Sequence, residues 1–276
     1  MSVRGPGARL GLPGPEIPDP GRGMRFATLG SGSRGNALLI EGGATRLLVD
    51  CGFGIGEIER RLGLLGVGAA HLRGILVTHE HGDHLRGVAA LARRHGIPVW
   101  ATTGTWGHAV DPAVPGLHLI SGQGPGFRIG DIRVEPFPIP HDAREPCHYV
   151  LEYDGRRLGL LTDSGHVTRH IRDRLRECDA LMLECNHDAD MLRRGPYPPF
   201  LRARVGGNFG HLANHQAAEL VDQLPHHRLT RLLLAHLSEK NNHPDLARQA
   251  MLDVAASLAE RLTLAEQDRP SPWLPV

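Results

Sequence analysis

Residues 75–87 read ILVTHEHGDHLRG, which places His79, His81, Asp83 and His84 within six positions of one another. Imidazoles and a carboxylate at i, i+2, i+4 and i+5 can converge on one small volume if the chain curls, and Gly82 lets it curl. Nitrogen and oxygen donors at that density suit Zn²⁺, Mn²⁺ or Fe²⁺. The competing reading is a polar loop leading into a helix, with Asp83 as its cap and the histidines in solvent. The buried-looking strand just before the motif favours ligation, because α/β proteins build sites at the C-terminal ends of strands. Four ligands are too many for one open catalytic ion and too few for two. Further ligands are therefore expected at other strand ends: His141 follows VEPFPIP, Asp163 follows LGLLT and His236 follows RLLLA.

These residues need a scaffold that brings several strand ends to one place. Short apolar runs separated by Gly-rich turns predict antiparallel strands over 25–29, 37–41 and 46–50. A helix is expected over 56–65, a buried strand over 74–78, a helix over 85–95 and a strand over 99–102. After the turn-rich 104–116 come strands over 127–129, 132–137, 148–153 and 157–162. The remainder alternates: helix 167–178, strand 180–184, helix 215–224, strand 231–235, and a last helix from 244 to about 265. Two halves, each of strands followed by β/α alternation, predict an α/β fold of two mixed sheets packed face to face with helices outside. Residues 24–276 read as a single domain with no interior linker. Gly30-Ser31-Gly32-Ser33-Arg34-Gly35 matches the GxGxxG dinucleotide fingerprint literally, but it continues into NALLIE, another strand. The helix N-terminus that would hold a pyrophosphate is missing, so the match reads as a turn.

Composition bounds the rest. The chain has 276 residues, 41% of them hydrophobic, and no apolar run approaches the roughly 20 residues of a membrane span. The Gly/Pro-rich residues 1–23 lack the apolar core of a secretory signal and are expected to form a disordered leader, which makes a cytoplasmic protein the expectation. Four cysteines without a CxxC pair read as free thiols, Cys51 among them as a small buried residue. A net charge of +1 gives no bulk basic signal. The unusual feature is 18 histidines beside six phenylalanines, three tryptophans and three tyrosines, a balance that suits metal ligation and proton transfer.

The order HxHxDH, later His, later Asp, final His resembles the metallo-β-lactamase-fold superfamily of hydrolases over about residues 24–245. Within it, the opening LGSGSRGNALLI, TDSG at 162–165, LECNHD at 183–188, GHLAN at 210–214 and LAHLSEKNNHP at 234–244 resemble the YycJ/WalJ group. That group comprises cytoplasmic proteins regarded as nucleases acting from a 5′ end. The resemblance implies a four-layer αβ/βα sandwich and two divalent ions, Zn²⁺ or Mn²⁺, with Fe²⁺ as a further choice. It puts His79, His81 and His141 on one ion and Asp83, His84 and His236 on the other, with Asp163 bridging. One departure is Cys147-His148, where small residues are common in relatives; it is expected to put His148 near the site mouth.

Two such cations about 3.5–4 Å apart acidify a shared water and neutralise charge growing on a phosphoryl or carbonyl oxygen. Beyond the ligand Asp83, which also belongs to the reacting centre, a proton donor is needed for the leaving group. His211, in the Gly-flanked NFGHLANH, is the first candidate; its alternative is a surface histidine of a helix's first turn. His187, at the strand end ECNHD, is the second. Asn186, Asp188, Asn241 and Asn242 are expected to orient ligands or substrate, and Asp50 and Glu184 to stand behind metal-bound imidazoles. The loop 193–211 interleaves Arg193, Arg194, Arg202 and Arg204 with Tyr197, Phe200 and Phe209, which suits phosphate contacts and base stacking, as it would a solvated loop. With it as one wall of the cleft, nucleic acid, DNA first, is the expected substrate, and a DNA exonuclease the expected activity. The alternative is a hydrolase of a thioester, lactone or cyclic phosphodiester on the same ions, which would need a narrow apolar pocket. With 72 residues between Asp163 and His236, already filled by expected elements, no β-CASP-type insert fits.

Overall fold

The computed structural model describes residues 23–109 and 113–276. The expected leader thus lies, but for Gly23, outside the described residues, as does part of 104–116. The chain opens with an antiparallel meander, β1 (Met24–Gly30), β2 (Ala37–Gly42) and β3 (Thr45–Val49). A crossover through α1 (Ile55–Leu64) brings β4 (Gly74–Leu76) in parallel to β3. A second crossover, through α2 (Gly82–Leu85) and α3 (Val88–His95), does the same for β5 (Val99–Thr102). After α4 (Thr103–Trp106), β6 (Leu117–Ile120) adds one more parallel strand.

The second half repeats the plan. β7 (Phe127–Ile129), β8 (Ile132–Pro138), β9 (Cys147–Tyr153) and β10 (Arg156–Leu161) are antiparallel. The β9–β10 hairpin turns on Asp154-Gly155, at φ 50° and 73°, the left-handed pair that matches strand twist. Helix α5 (Arg169–Leu175) leads to β11 (Ala180–Glu184), parallel to β10. Helices α6 (Ala189–Arg194), α7 (Pro199–Val205) and α8 (Asn214–Asp222) lead to β12 (Arg231–Ala235), and α9 (Pro244–Val254) to β13 (Leu262–Leu264), both parallel additions. Finally β14 (Leu274–Pro275) returns to the outer edge of β1. Each sheet has seven strands, in the orders β14-β1-β2-β3-β4-β5-β6 and β13-β12-β11-β10-β9-β8-β7.

Three apolar layers hold these together. Phe26, Leu38, Ile40, Leu47 and Leu76 meet Val134, Tyr149, Leu151, Leu158 and Leu233 between the sheets. Leu39, Leu48 and Ile75 pack on Ile58, Leu62 and Leu91 of α1 and α3. Leu181, Leu183 and Leu232 pack on Ile171, Val221 and Met251 of α5, α8 and α9. Three buried interfaces make four layers, the αβ/βα sandwich that the resemblance implied. The parallel strands of both sheets end in loops at one edge, and the metal-ligand candidates lie there.

Several expectations are corrected. The last helix stops at Val254; a 3₁₀ turn, Ala256–Arg261, follows, and then β13. The apolar spacing of 255–265 is as compatible with an edge strand, and pairing to β12 decides it. Residues 193–211 are not a plain loop: α7 lies within them, begun by the prolines before Phe200 and burying none of its residues. The helix expected over 85–95 is broken at Gly87, where an added Cβ would lie 2.0 Å from the Phe53 carbonyl oxygen. Among the described residues no helix is long and apolar enough to cross a membrane.

Candidate metal centre

The candidate ligands sit in the loops that follow strand ends, Asp83 and His84 on the short helix α2 beyond β4, and the backbone at several of these ends is unusual. Asp50, Asp163 and His236 follow β3, β10 and β12 with φ of 60°, 55° and 54°. The left-handed region costs a non-glycine residue about 1–3 kcal/mol unless its surroundings impose it, and here it turns side chains from the strand path into the cleft. The loop carrying HxHxDH is pinned from below. A Cβ on Gly52 would lie 1.8 Å from the Asp83 carbonyl oxygen, so only glycine lets the β3–α1 loop pass so close. Asn36 N–H donates to that same oxygen at 2.7 Å.

The seven expected ligands come together. Donor atoms of His79, His81 and His141 form one group within 4.8 Å, and those of Asp83, His84 and His236 another. Asp163 groups with His79 and His84, and again with Glu184, His211 and His236, so it lies between the two triads. Asp163 Oδ2 is 3.4 Å from His84 Nε2, and Asp83 Oδ2 is 3.5 Å from His84 Nε2 and 3.7 Å from His236 Nε2.

Protein acceptors fix which nitrogen of most rings faces the centre. Thr78 Oγ1 donates to Asp50 Oδ2 at 2.8 Å, so it accepts from His79 Nδ1 at 3.0 Å. His84 Nδ1 donates to Asp50 Oδ2 at 2.8 Å, and His236 Nδ1 to Glu184 Oε1 at 2.8 Å. His141 Nδ1 lies 3.2 Å from the Phe209 carbonyl oxygen and 3.3 Å from that of Gly210. In all four the Nδ1–H is spent on the protein, which leaves Nε2 as the nitrogen facing the centre, the arrangement a metal-bound imidazole requires. His141 Nε2 faces His81 Nδ1 at 3.2 Å.

Whether cations fit can be judged from unpaired atoms. His79 Nε2, His236 Nε2 and Asp163 Oδ2 are all buried with no hydrogen-bond partner among the described residues. Leaving such groups unpaired costs about 1–3 kcal/mol each, which a folded protein tolerates when something else satisfies them. Three such nitrogen and oxygen atoms turned towards one small volume are a donor set for cations once His236 has shed its proton, and the hard-to-borderline N/O composition fits Zn²⁺, Mn²⁺ or Fe²⁺. Charge balance agrees. Burial opposes ionisation of Asp163, but His236, His84, His79 and His141 outweigh it and hold the carboxyl well below the usual range. Burial keeps His79 and His141 neutral, below an ordinary imidazole. Burial works the same way on His236, yet Asp163, Asp83 and Glu184 push it up to about 10, and Asp163 and Asp50 likewise raise His84.

Glu184 is the second hub. It is fully buried; Oε1 accepts from both His211 Nδ1 (2.9 Å) and His236 Nδ1 (2.8 Å), while Oε2 accepts from Ser164 N–H (3.1 Å) and Leu212 N–H (2.9 Å). Burial raises its pKa but the two histidines bring it down to about 2. His211 thus sits beside the centre, its ring 5.2 Å from His236 and 5.5 Å from His141, with Nδ1 tied back and Nε2 unclaimed. His187 lies apart from the ligand groups, buried, and burial lowers it to about 4.

Asp50 and Glu184 stand behind the imidazoles of the candidate ligands His84 and His236, as expected. Asn186 Nδ2 holds the His236 carbonyl at 2.9 Å, and Asn242 Nδ2 the Cys185 carbonyl at 2.7 Å. Asp188 caps α6, its Oδ1 accepting from Asp190 and Met191 N–H. Asn241 is fully buried, its N–H bonded to Ser238 Oγ at 3.1 Å. Cys51 is fully buried and burial pushes its thiol up to about 12, which suits packing rather than ligation. His148 is not at the mouth. It is 2% exposed, its Nε2 2.8 Å from the Thr162 carbonyl oxygen, because β9 lies between β8 and β10 and is buried on both faces there. The turn at 30–36 holds more than sequence reading assigned it. Ser31 Oγ accepts from His236 N–H at 2.9 Å, and Asn36 Nδ2 reaches Asp83 Oδ2 at 3.3 Å. The signal was an asparagine and a serine among glycines, which the dinucleotide pattern drew attention away from.

The segment bearing α7 docks on this centre. The Phe209 carbonyl accepts from Asp142 N–H at 3.0 Å and from His141, while Arg204 pairs with Asp142. A Cβ on Gly165 would lie 2.2 Å from the Asn208 backbone, so the TDSG turn needs glycine to let the segment pass. Phe200 and Phe209 are 74% and 60% exposed, large aromatics held out to solvent at the cleft wall.

Residues 45–237 match the family model described as a beta-lactamase superfamily domain. The chain belongs to the beta-lactamase superfamily. It is 36% identical over 235 residues to exodeoxyribonuclease YycJ of Bacillus anthracis, covering 84% of this chain and 89% of that protein. It is 34% identical over 240 residues to exodeoxyribonuclease WalJ of Streptococcus pneumoniae, covering 85% and 89%. The YycJ/WalJ-like group therefore fits the chain over most of its length. The crystal structure of the metallo-beta-lactamase fold protein YhfI from Bacillus subtilis matches with TM-score 0.71 at 17% identity, covering 90% of this chain and 98% of that one, a likeness of fold.

Proposed function

We propose that this superfamily member is a cytoplasmic, dinuclear metal-dependent phosphodiesterase that degrades DNA from an end. The observation that carries the reading is the convergence of two ligand triads about Asp163, with their unpaired nitrogens turned inward. His79, His81 and His141 would hold one ion, Asp83, His84 and His236 the other, and Asp163 both. When bound, the ions supply an acidified water and neutralise charge developing on the phosphoryl oxygens. His211 then supplies the proton: with Nδ1–H donated to Glu184, its Nε2 is the nitrogen that can deliver one to a departing alkoxide. Glu184 keeps both His211 and His236 in the required tautomer. His187, set back from the ligands and kept neutral by burial, is a positioning residue in this reading. DNA as substrate is supported by the names of the relatives similar over most of their length. It is also supported by the exposed Phe200 and Phe209, which offer stacking faces on a segment that also carries Arg194 and Arg202 as phosphate partners.

One observation favours a small-molecule substrate instead. An apolar cavity of about 340 Å³, lined by Glu80, Leu85, Arg86, Ala89 and Trp106, adjoins the ligand loop. The test uses purified protein with Mn²⁺ or Zn²⁺ on 5′-labelled duplex and single-stranded DNA, beside a thioester and bis-p-nitrophenyl phosphate. Stepwise shortening of DNA is the expected result. Turnover of the thioester with DNA left intact would overturn the nuclease reading in favour of the cavity.

A further inference from the structure

Beside the metal cleft lies a second, basic depression of about 550 Å³. Its walls come from α6, α7 and the first turn of α8, and include His187, Arg193, Arg202, Ala213, His215 and Gln216. No carboxylate is among the described residues lining it. Asp190 pairs with Arg193 at 2.7 Å. Arg202 donates to the Arg193 carbonyl at 2.6 Å, and among the described residues it pairs with no carboxylate. His187 is 3% exposed, and its Nδ1 is buried without a hydrogen-bond partner among the described residues.

The start of α8 faces the same space. Ala213 N–H is taken by Gln216 Oε1 and Asn214 N–H by the His187 carbonyl, both at 2.9 Å. The next two N–H groups, of His215 and Gln216, have no acceptor within the helix, as at any helix start. Guanidinium forks, imidazoles and a helix N-terminus around a depression that no carboxylate among the described residues lines, Asp190 reaching Arg193 from outside it, suit a phosphate dianion. The depression is also close to the reacting centre. Ala213 is two residues from His211, and an extended chain spans at most roughly 7 Å over that interval.

We propose that this depression binds a phosphate of the substrate strand close to the bond being cleaved. It thereby sets where along the strand the cut falls. This inference rests on the nucleic-acid reading and names a recognition site for it. Arg202 and Arg193 grip the phosphate oxygens, His187 lies against the bound group, and the α8 N–H groups complete the shell.

The test is Arg202→Gln in the metal-loaded protein, with Arg193→Gln as a second variant. Losing a charge-assisted phosphate contact raises KM for a DNA oligonucleotide about tenfold, with kcat held. Turnover of bis-p-nitrophenyl phosphate, too short to reach the depression, stays at the wild-type level. If the KM effect appears with a 5′-phosphorylated end and not with a 5′-hydroxyl end, the bound group is the terminal phosphate. If it appears with both, the group is an internal one; either pattern supports the site. An unchanged KM overturns it, and so does equal loss on both substrates with metal content intact, which would mark these arginines as supports of the catalytic fold. Wild-type protein that leaves DNA intact defeats the nuclease reading separately. The depression is then tested by titrating inorganic phosphate while following the His187 and His215 imidazole signals. Shifts lost in Arg202→Gln support it, and absence of shifts overturns it.

Discussion

Replacing Glu184 by glutamine keeps the shape of a fully buried side chain but turns one acceptor oxygen into a donor. The wild-type carboxylate accepts four hydrogen bonds, two from imidazole Nδ1–H and two from backbone N–H. The amide can satisfy only one of these pairs. With its oxygen towards the imidazoles, the Ser164 and Leu212 N–H groups face an NH₂. Two buried donors left unpaired cost about 1–3 kcal/mol each, so roughly 2–6 kcal/mol of stability. With its NH₂ towards the imidazoles, His236 and His211 must offer lone pairs at Nδ1, which moves their protons to Nε2. That tautomer withdraws His236 as an Nε2 ligand and His211 Nε2 as the proton-transfer nitrogen. Affinity at the Asp83/His84/His236 site is expected to fall about 10–100-fold, the usual effect of removing a group behind a metal ligand. Turnover on DNA falls a further 10²–10⁴-fold, approximately the worth of a positioned acid. Chelator competition reads the first loss, and steady-state cleavage at saturating metal the second. Excess metal restores occupancy without restoring turnover. Wild-type affinity and turnover in Glu184→Gln would refute the shared role of this carboxylate.

Asp163→Asn keeps a residue that tolerates the left-handed backbone at this position while removing the charge between the two triads; both ions should be weakened, and full activity would show that the bridge is misplaced. His211→Ala should retain both ions and lose about 10²–10⁴ in turnover on DNA, with a smaller loss on a p-nitrophenyl ester whose leaving group needs no proton; loss of one ion would make His211 a ligand. Metal binding at neutral pH should release protons. His236, raised to about 10, and His84, also raised, are protonated in the metal-free protein and must shed those protons, whereas His79 and His141, lowered by burial, have none to shed. Affinity at the His84/His236 site therefore rises with pH up to about 10; calorimetry in buffers of different ionisation enthalpy should find roughly one to two protons released, and zero would refute the charge assignment.

The grouping of the candidate ligands was legible because their chemistry and their scaffold coincide: each of His79, His141, Asp163 and His236 follows an apolar run that reads as a strand. The two-sheet plan was legible for the same reason. What escaped were features with no local pattern. Helix α7 is seven residues long and buries none of them, so no sustained periodicity marks it. Strands β13 and β14 are three and two residues long and exist through their partners β12 and β1. The burial of His148 depends on the pairing of β9 with β8 and β10, which sets Phe137 opposite His148. Ser31 and Asn36 reach the centre only because the β1–β2 turn folds onto loops distant in sequence, Ser31 onto the backbone of His236. The roles of Asp50 and Glu184 were readable as strand-end carboxylates, but Glu184 serving two imidazoles at once could be seen only in three dimensions.

The central claim is that seven side chains form one two-ion centre, and elemental analysis of metal-replete protein tests it most directly. The donor set predicts about two divalent ions per chain, falling to about one in a His81→Ala variant that leaves the Asp83/His84/His236 group complete. A stoichiometry of zero in the wild-type protein, or one that His81→Ala leaves at its wild-type value, would contradict it.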